Sequence, residues 1–194
     1  MEDLEKVKGR HLSEDEEIDV KKELWRDALG WLKTILGALF FAWFFVNVVI
    51  VNAIVPTGSM EGTIRVNDRI VAFRLSYILS EPDRFDIVVF RGTEDESSLY
   101  VKRIIGLPGE IITIEDGRVF LYGETEPIRD DFVNGEFFGN HGPYEVPEDH
   151  FFVLGDNRNN SVDSRFWSNP FVYIDRIQGR VIFRYFPGFQ NLTN

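Results

Sequence analysis

Two side chains are best suited to covalent chemistry: Ser59, in "IVPTGSMEGTI" (residues 54–64), and Lys102, in "YVKRII" (residues 100–105). A serine hydroxyl is a weak nucleophile and needs a base beside it. The neighbours of Ser59 suit that role. Gly58 allows a tight turn and close substrate approach, Pro56 stiffens the backbone before it, and Thr57 brings a second hydroxyl within reach of a developing oxyanion. The same residues also read as a flexible loop joining two parts of the chain.

Lys102 stands out by elimination. After Lys33 the chain uses arginine thirteen times and lysine once. Arginine keeps its proton in a protein, so Lys102, His141 and His150 are the basic side chains of this region able to act as a general base. Strand alternation in "YVKRII" sends Tyr100, Lys102 and Ile104 to one face and Val101, Arg103 and Ile105 to the other. Largely apolar neighbours disfavour the ammonium form. An unperturbed lysine is neutral in only about one molecule in 2,500 at pH 7, and lowering its pKa by roughly 3 costs about 4 kcal/mol. A snorkelling strand lysine fits the pattern equally well.

A third stretch, "GDNRNNSVDSR" (residues 155–165), packs turn formers between paired charges and reads as a hydrogen-bonded Asx loop. It is a poor calcium loop: Arg158 occupies the third ligand position counted from Asp156, and Ser161 stands where the turn glycine belongs. A Ser-x-x-Lys arrangement fails too, because the third residue after Ser59 is Gly62. The chain has no cysteine, and His11, His141 and His150 are scattered, so no metal site and no cofactor is expected. The net charge of −11 comes from dispersed acids, which argues against a nucleic-acid surface.

These residues need elements to hold them. Residues 34–55, "TILGALFFAWFFVNVVIVNAIV", run for 22 residues without a charge. As a helix the run would reach roughly 33 Å, enough to cross a hydrocarbon core. A cleavable signal peptide would have a shorter apolar core behind a short basic leader. Here the leader is 33 residues with ten acids and seven bases, so a retained anchor is expected. Lys21, Lys22, Arg26 and Lys33 precede the run and Arg65, Arg69 and Arg74 follow it, a small bias toward a cytoplasmic N-terminus. Ser13 and Glu16 match a capping box ahead of a leader helix.

Beyond the run, "RIVAFRLS", "FDIVVFR", "YVKRIIGL", "EIITIEDGRVFLYG", "FFVLGDN" and "GRVIFRYFP" are rich in β-branched and aromatic residues and separated by turn formers. Asp116-Gly117 predicts a hairpin, and 123–147 carries loop chemistry. Phe137-Phe138 and Phe166-Trp167 sit in polar contexts, where core packing competes with a bilayer-facing role. The expected fold class is mainly β: one N-terminal transmembrane helix followed by an all-β catalytic domain. The expected division is a cytoplasmic, partly helical leader at 1–33, an anchor at 34–55, and an extracytoplasmic β-rich domain at 56–194.

Taken in order, "PTGSM" after a membrane span, "YVKRIIGLPGE" and "GDNRNNSVDSR" resemble the bacterial type I signal peptidases, membrane-bound serine–lysine proteases, in their compact Gram-positive-like form. The resemblance covers roughly residues 34–186. It implies a Ser59 nucleophile, a Lys102 general base, and an oxyanion hole made by the Ser59 backbone N–H and the Thr57 hydroxyl. It implies that Ser161 hydrogen-bonds and orients Lys102, and that Asp156 with Arg103, and Asp163 with Arg165, form structural ion pairs. The substrate would add as a strand, with small pockets near Val55, Met60, Ile64, Val101 and Val162 favouring small residues at positions −1 and −3. The implied partners are signal peptides of exported preproteins and the lipid bilayer, with no nucleic acid. Thr57 stands where many members have serine, Gly62 where a proline is common, and Asn159 where some have aspartate. A dedicated pilin or conjugation processing peptidase, a self-cleaving repressor-type peptidase and an inactive anchored peptide-binding module share parts of this pattern.

Overall fold

The computed structural model describes residues 14–78, 80–93, 95–133 and 135–193. The chain divides into two units, Met1–Phe45 and Val46–Asn194. In the first, helix α1 spans Glu14–Phe44; the π-helical turn that follows it, Phe45–Val49, begins at the last residue of this unit and continues in the second. The Lys21–Val49 portion is the one segment among the described residues long and apolar enough to cross a membrane. Its 29 residues reach roughly 43 Å, more than a hydrocarbon core. Leu39, Phe40, Phe41 and Trp43 are all exposed on it, a surface suited to lipid rather than water. The chain thus carries a single N-terminal membrane-spanning helix. Of the expected capping box, Ser13 and the Glu16 side chain lie outside the described residues.

The apolar run does not stay helical to residue 55. Ile50–Ile54 forms strand β1, paired antiparallel with β2 (Arg69–Phe73) from Ile50 opposite Phe73 to Ile54 opposite Arg69. The cause is local: residues 46–55 are dominated by Val and Ile, which favour strands. Period-2 alternation buries Val49, Val51 and Val55 and leaves Asn52 and Ile54 exposed. Asn52 is a strand residue whose Oδ1 accepts a hydrogen bond from Tyr185 Oη at 3.0 Å. At the other end, α1 passes through Lys33–Thr34 without a break.

The second unit is predominantly β, with short 3₁₀ turns between strands. Its strands continue with β3 (Ile87–Arg91), β4 (Leu99–Gly106), β5 (Ile111–Glu115), β6 (Arg118–Leu121), β7 (His141–Glu145), β8 (His150–Leu154), β9 (Phe171–Tyr173), β10 (Ile177–Phe186) and β11 (Gln190–Asn191). The large sheet runs β1-β2-β10-β3-β4-β8-β9, with β11 also on β10; the small one runs β6-β5-β7. Every pairing among these strands is antiparallel. Asp116 and Gly117 turn the β5–β6 hairpin with φ of 46° and 79°, the two positive values a two-residue hairpin favours. Strand β7 falls within the stretch expected to be loop; "HGPYE" has little strand propensity and is held there by pairing with β5.

The large sheet is buried on both faces at its central strand β3. Along β3, Ile87 and Val89 enter a cluster with Val51, Val55, Met60 and Ile64, while Val88 and Phe90 enter another with Ile104, Phe151 and Val153. Phe137 and Trp167 are half-buried, whereas Phe138 and Phe166 are exposed.

Candidate active site

Ser59 lies at the centre of a one-turn 3₁₀ helix, Gly58–Met60, entered from an extended Thr57. Met60 and Ile64 fix this turn. Both are fully buried in the core beneath it, and Ile64 N–H donates to Met60 O at 2.8 Å. Burying two such side chains contributes roughly 1.5–3 kcal/mol each. The turn is also held from afar. Asn157 donates its backbone N–H to Ser59 O at 3.0 Å and its side-chain amide to Gly58 O at 3.1 Å.

Lys102 arrives on β4 opposite Val88 of β3, with Tyr100 and Ile104 on the same face. Its Nζ donates to Ser59 Oγ at 2.7 Å and to its neighbour's carbonyl, Val101 O, at 3.2 Å. Lys102 is 3 % exposed and Ser59 7 %. Burial pulls the Lys102 pKa down to about 8; the carboxylates of Asp163 and Asp156 work against that shift, and Arg165 adds to it. Of the two readings of this lysine, the buried one holds. The Thr57 hydroxyl lies 3.4 Å from Ser59 Oγ.

The 155–165 loop packs around the pair. Asp156 and Arg103 form a two-bonded ion pair, Nε to Oδ1 at 2.8 Å and Nη2 to Oδ2 at 2.6 Å, almost wholly buried. Thr63 donates to Asp156 Oδ2 at 2.6 Å, linking this pair to the chain just after the serine turn. Arg165 grips Asp163 in the same forked way, at 2.7 and 2.9 Å, with both side chains fully buried and Arg165 lying over the rings of Phe137 and Phe166. Ser161 Oγ donates to Asp163 Oδ2 at 2.7 Å and, among the described residues, makes no hydrogen bond with Lys102. Its hydroxyl hydrogen is committed to that carboxylate, a charged and therefore strong acceptor, which leaves Ser161 Oγ with only its lone pairs. Arg158, also buried, donates to Gly155 O at 3.1 Å, and its pKa is drawn down to about 10 by burial and by Arg165.

A cleft of about 410 Å³ opens onto Ser59 and Lys102. Val55, Val101 and Val162 line it; Met60 and Ile64 do not, lying in the core below. Gly155, Asn157, Thr63 and Ser98 are parts of the site that residue types alone did not single out. Of these, Gly155 had a signal: it ends an apolar strand run and opens the Asx loop. The described residues contain no cluster of His, Cys, Asp and Glu able to hold a metal.

Known proteins resemble this chain over most of its length. The family model for signal peptidase, peptidase S26, matches residues 28–186. The chain is 36 % identical over 165 residues to a probable signal peptidase I-2 of Synechocystis sp., covering 81 % of this chain and 74 % of that one. It is 40 % identical over 140 residues to signal peptidase I of Leptolyngbya laminosa, covering 69 % of this chain and 67 % of the relative. It is 33 % identical over 157 residues to signal peptidase I P of Bacillus subtilis subsp. natto, covering 76 % of this chain and 83 % of the relative. With a buried serine and lysine in contact at the foot of a cleft, and a family match over most of its length, this chain belongs to the signal peptidase family, peptidase S26.

Proposed function

We propose that the chain is a membrane-anchored serine endopeptidase that removes N-terminal signal peptides from exported preproteins through a Ser59–Lys102 dyad. Family membership supports the general activity. The observation that carries the dyad is the 2.7 Å contact between Lys102 Nζ and Ser59 Oγ, two largely buried side chains at the foot of the cleft.

Neutral Lys102 takes the Ser59 proton as Oγ attacks the scissile carbonyl carbon. The negative charge develops on the carbonyl oxygen, where the Ser59 backbone N–H and the Thr57 hydroxyl act as donors; one such donor is typically worth about 10²–10³ in rate. The C–N bond then breaks, the leaving amine departs with the proton from Lys102, and the signal peptide stays on Ser59 as an ester. Lys102 next takes a proton from water, the resulting hydroxide attacks the ester carbonyl, and Ser59 recovers its proton. No step requires a cofactor.

The buried ion pairs Arg103–Asp156 and Arg165–Asp163 hold the frame around this chemistry, and Ser161 acts as a positioning residue through Asp163. Val55, Val101 and Val162 crowd the cleft beside the nucleophile, which favours small side chains at substrate positions −1 and −3. Met60 and Ile64 contribute from beneath by fixing the serine turn. The leader then lies in the cytoplasm and the β domain on the extracytoplasmic face, the orientation favoured by Lys21, Lys22, Arg26 and Lys33.

Reconstitution of the full chain in detergent with a preprotein substrate tests the reading. Ser59→Ala and Lys102→Ala should each abolish cleavage while the thermal unfolding transition persists, and an acylating probe should label Ser59. Cleavage retained by Lys102→Ala would end the proposal.

A further inference from the structure

The cleft does not stop at the residues that flank the dyad. It continues along β4 through Val101, Tyr100 and Leu99 to Ser98, in the turn joining β3 to β4. Ser98 stands four residues from Lys102 along an extended chain, about 13 Å at roughly 3.3 Å per residue.

The chemistry of Ser98 is fixed by its own turn. Its Oγ donates to Asp95 Oδ2 at 2.5 Å, and Ser97 supplies the same carboxylate with two more hydrogen bonds, from N–H at 3.0 Å and from Oγ at 2.6 Å. A serine hydroxyl has one hydrogen. With that hydrogen committed, Ser98 offers the cleft only oxygen lone pairs, backed by a carboxylate. The turn itself is braced from outside the cleft. Arg176 donates to Gly92 O at 2.6 Å and to Glu96 Oε1 at 2.8 Å, and Gly92 N–H donates to Ser98 O at 3.0 Å. Gly92 has no room for a side chain, since an added Cβ would overlap the Asp95 carbonyl and the Tyr100 ring.

We infer that Ser98, oriented by Asp95, is a substrate-contacting residue: a hydrogen-bond acceptor at the far end of the cleft that takes an N–H or O–H donor from the signal peptide about four residues upstream of position −1. In the inferred register the acyl side of the substrate leaves the dyad past Val101 and follows the cleft toward Ser98. An extended substrate advances at the same pitch as β4, which brings position −5 level with the Ser98 oxygen. The inference rests on the dyad reading above and deepens it.

The test uses the full chain in detergent and a set of signal-peptide substrates differing only at position −5: alanine, serine, and N-methyl-alanine, which lacks the backbone N–H. One neutral hydrogen bond contributes about 0.5–1.5 kcal/mol, or roughly 2- to 12-fold in kcat/KM. If the backbone is the donor, N-methylation should lower kcat/KM by that factor; if a side-chain hydroxyl is, the serine substrate should exceed alanine by it. In Ser98→Ala the discrimination should collapse to unity, Ser98→Thr should restore it, and Asp95→Ala, which frees the hydroxyl to rotate, should weaken it. The change should fall on KM rather than kcat. Discrimination that survives Ser98→Ala, or its absence in the parent enzyme, would overturn the subsite while leaving the dyad intact. Absence of any cleavage by the parent enzyme would instead overturn the dyad reading, and this inference with it.

Discussion

The carbonyl oxygen of Ser59 accepts the backbone N–H of Asn157 at 3.0 Å, so the turn that carries the nucleophile is anchored by a loop from the other end of the domain. This contact requires Gly155. A Cβ at residue 155 would overlap both Ser59 O and Ser161 Oγ, neither of which can retreat without breaking a hydrogen bond. Gly155→Ala should therefore displace Ser59 from Lys102. We expect kcat to fall by about 10²-fold, as for a misplacement of about 1 Å. Stability should fall by about 1–3 kcal/mol, as for overpacking of a core. Kinetics and thermal unfolding of the one variant read both effects.

The Arg103–Asp156 pair gives a second expectation. Its side chains are 4 % and 1 % exposed, so removing one partner strands a charge away from water. Asp156→Leu or Arg103→Met alone should cost about 3–5 kcal/mol. The double replacement should cost much less than the sum, because no uncompensated charge remains. Denaturation midpoints for the two single variants and the double variant close the cycle. Additive losses would mean that the pair is not coupled.

The outline of this site was legible in the sequence because its chemistry needs rare residue types. A single lysine among thirteen arginines after Lys33 and a glycine-flanked serine are visible in one dimension, and the six strand runs follow from β-branched and aromatic alternation. What stayed hidden depends on distance. No pattern brings residue 59 within hydrogen-bond reach of residue 102, or sends the Ser161 hydroxyl to Asp163 instead of Lys102. Two failures are of another kind. The change from helix to strand at Ile50 lies inside one apolar run, where hydropathy is silent and only the Val and Ile enrichment speaks. Strand β7 is held by its partner β5 rather than by its own residues.

Catalysis should depend on pH through Lys102. With its pKa near 8, about one molecule in ten carries the neutral base at pH 7, against about one in 2,500 for an unperturbed lysine. In the free enzyme kcat/KM should rise with pH, pass its midpoint near 8 and level off above it. Asp163 and Asp156 favour the protonated amine, Asp163 more strongly, so removing a negative charge at either position should move that midpoint to lower pH. Asp156→Asn, the milder change, is the variant to measure. An optimum near pH 5, or a midpoint that moves upward, would contradict the assignment of Lys102 as base.

The same burial makes Lys102 a burden on the fold. Its native pKa of about 8 lies below the unfolded value of about 10.4. Below pH 8 the amine is protonated in both states, and the native state carries the full penalty, about 3 kcal/mol. Between pH 8 and 10.4 the unfolded chain holds more protons than the native one, so stability rises with pH and the penalty fades. Lys102→Met keeps the length and removes the charge. It should end activity yet unfold at a higher temperature than the parent at pH 7, with about 1 kcal/mol of the gain offset by the lost hydrogen bond to Ser59. The advantage should shrink by pH 10. Thermal unfolding of both proteins at the two pH values measures it, and an advantage that does not change with pH would show that the lysine is not held in a desolvated state.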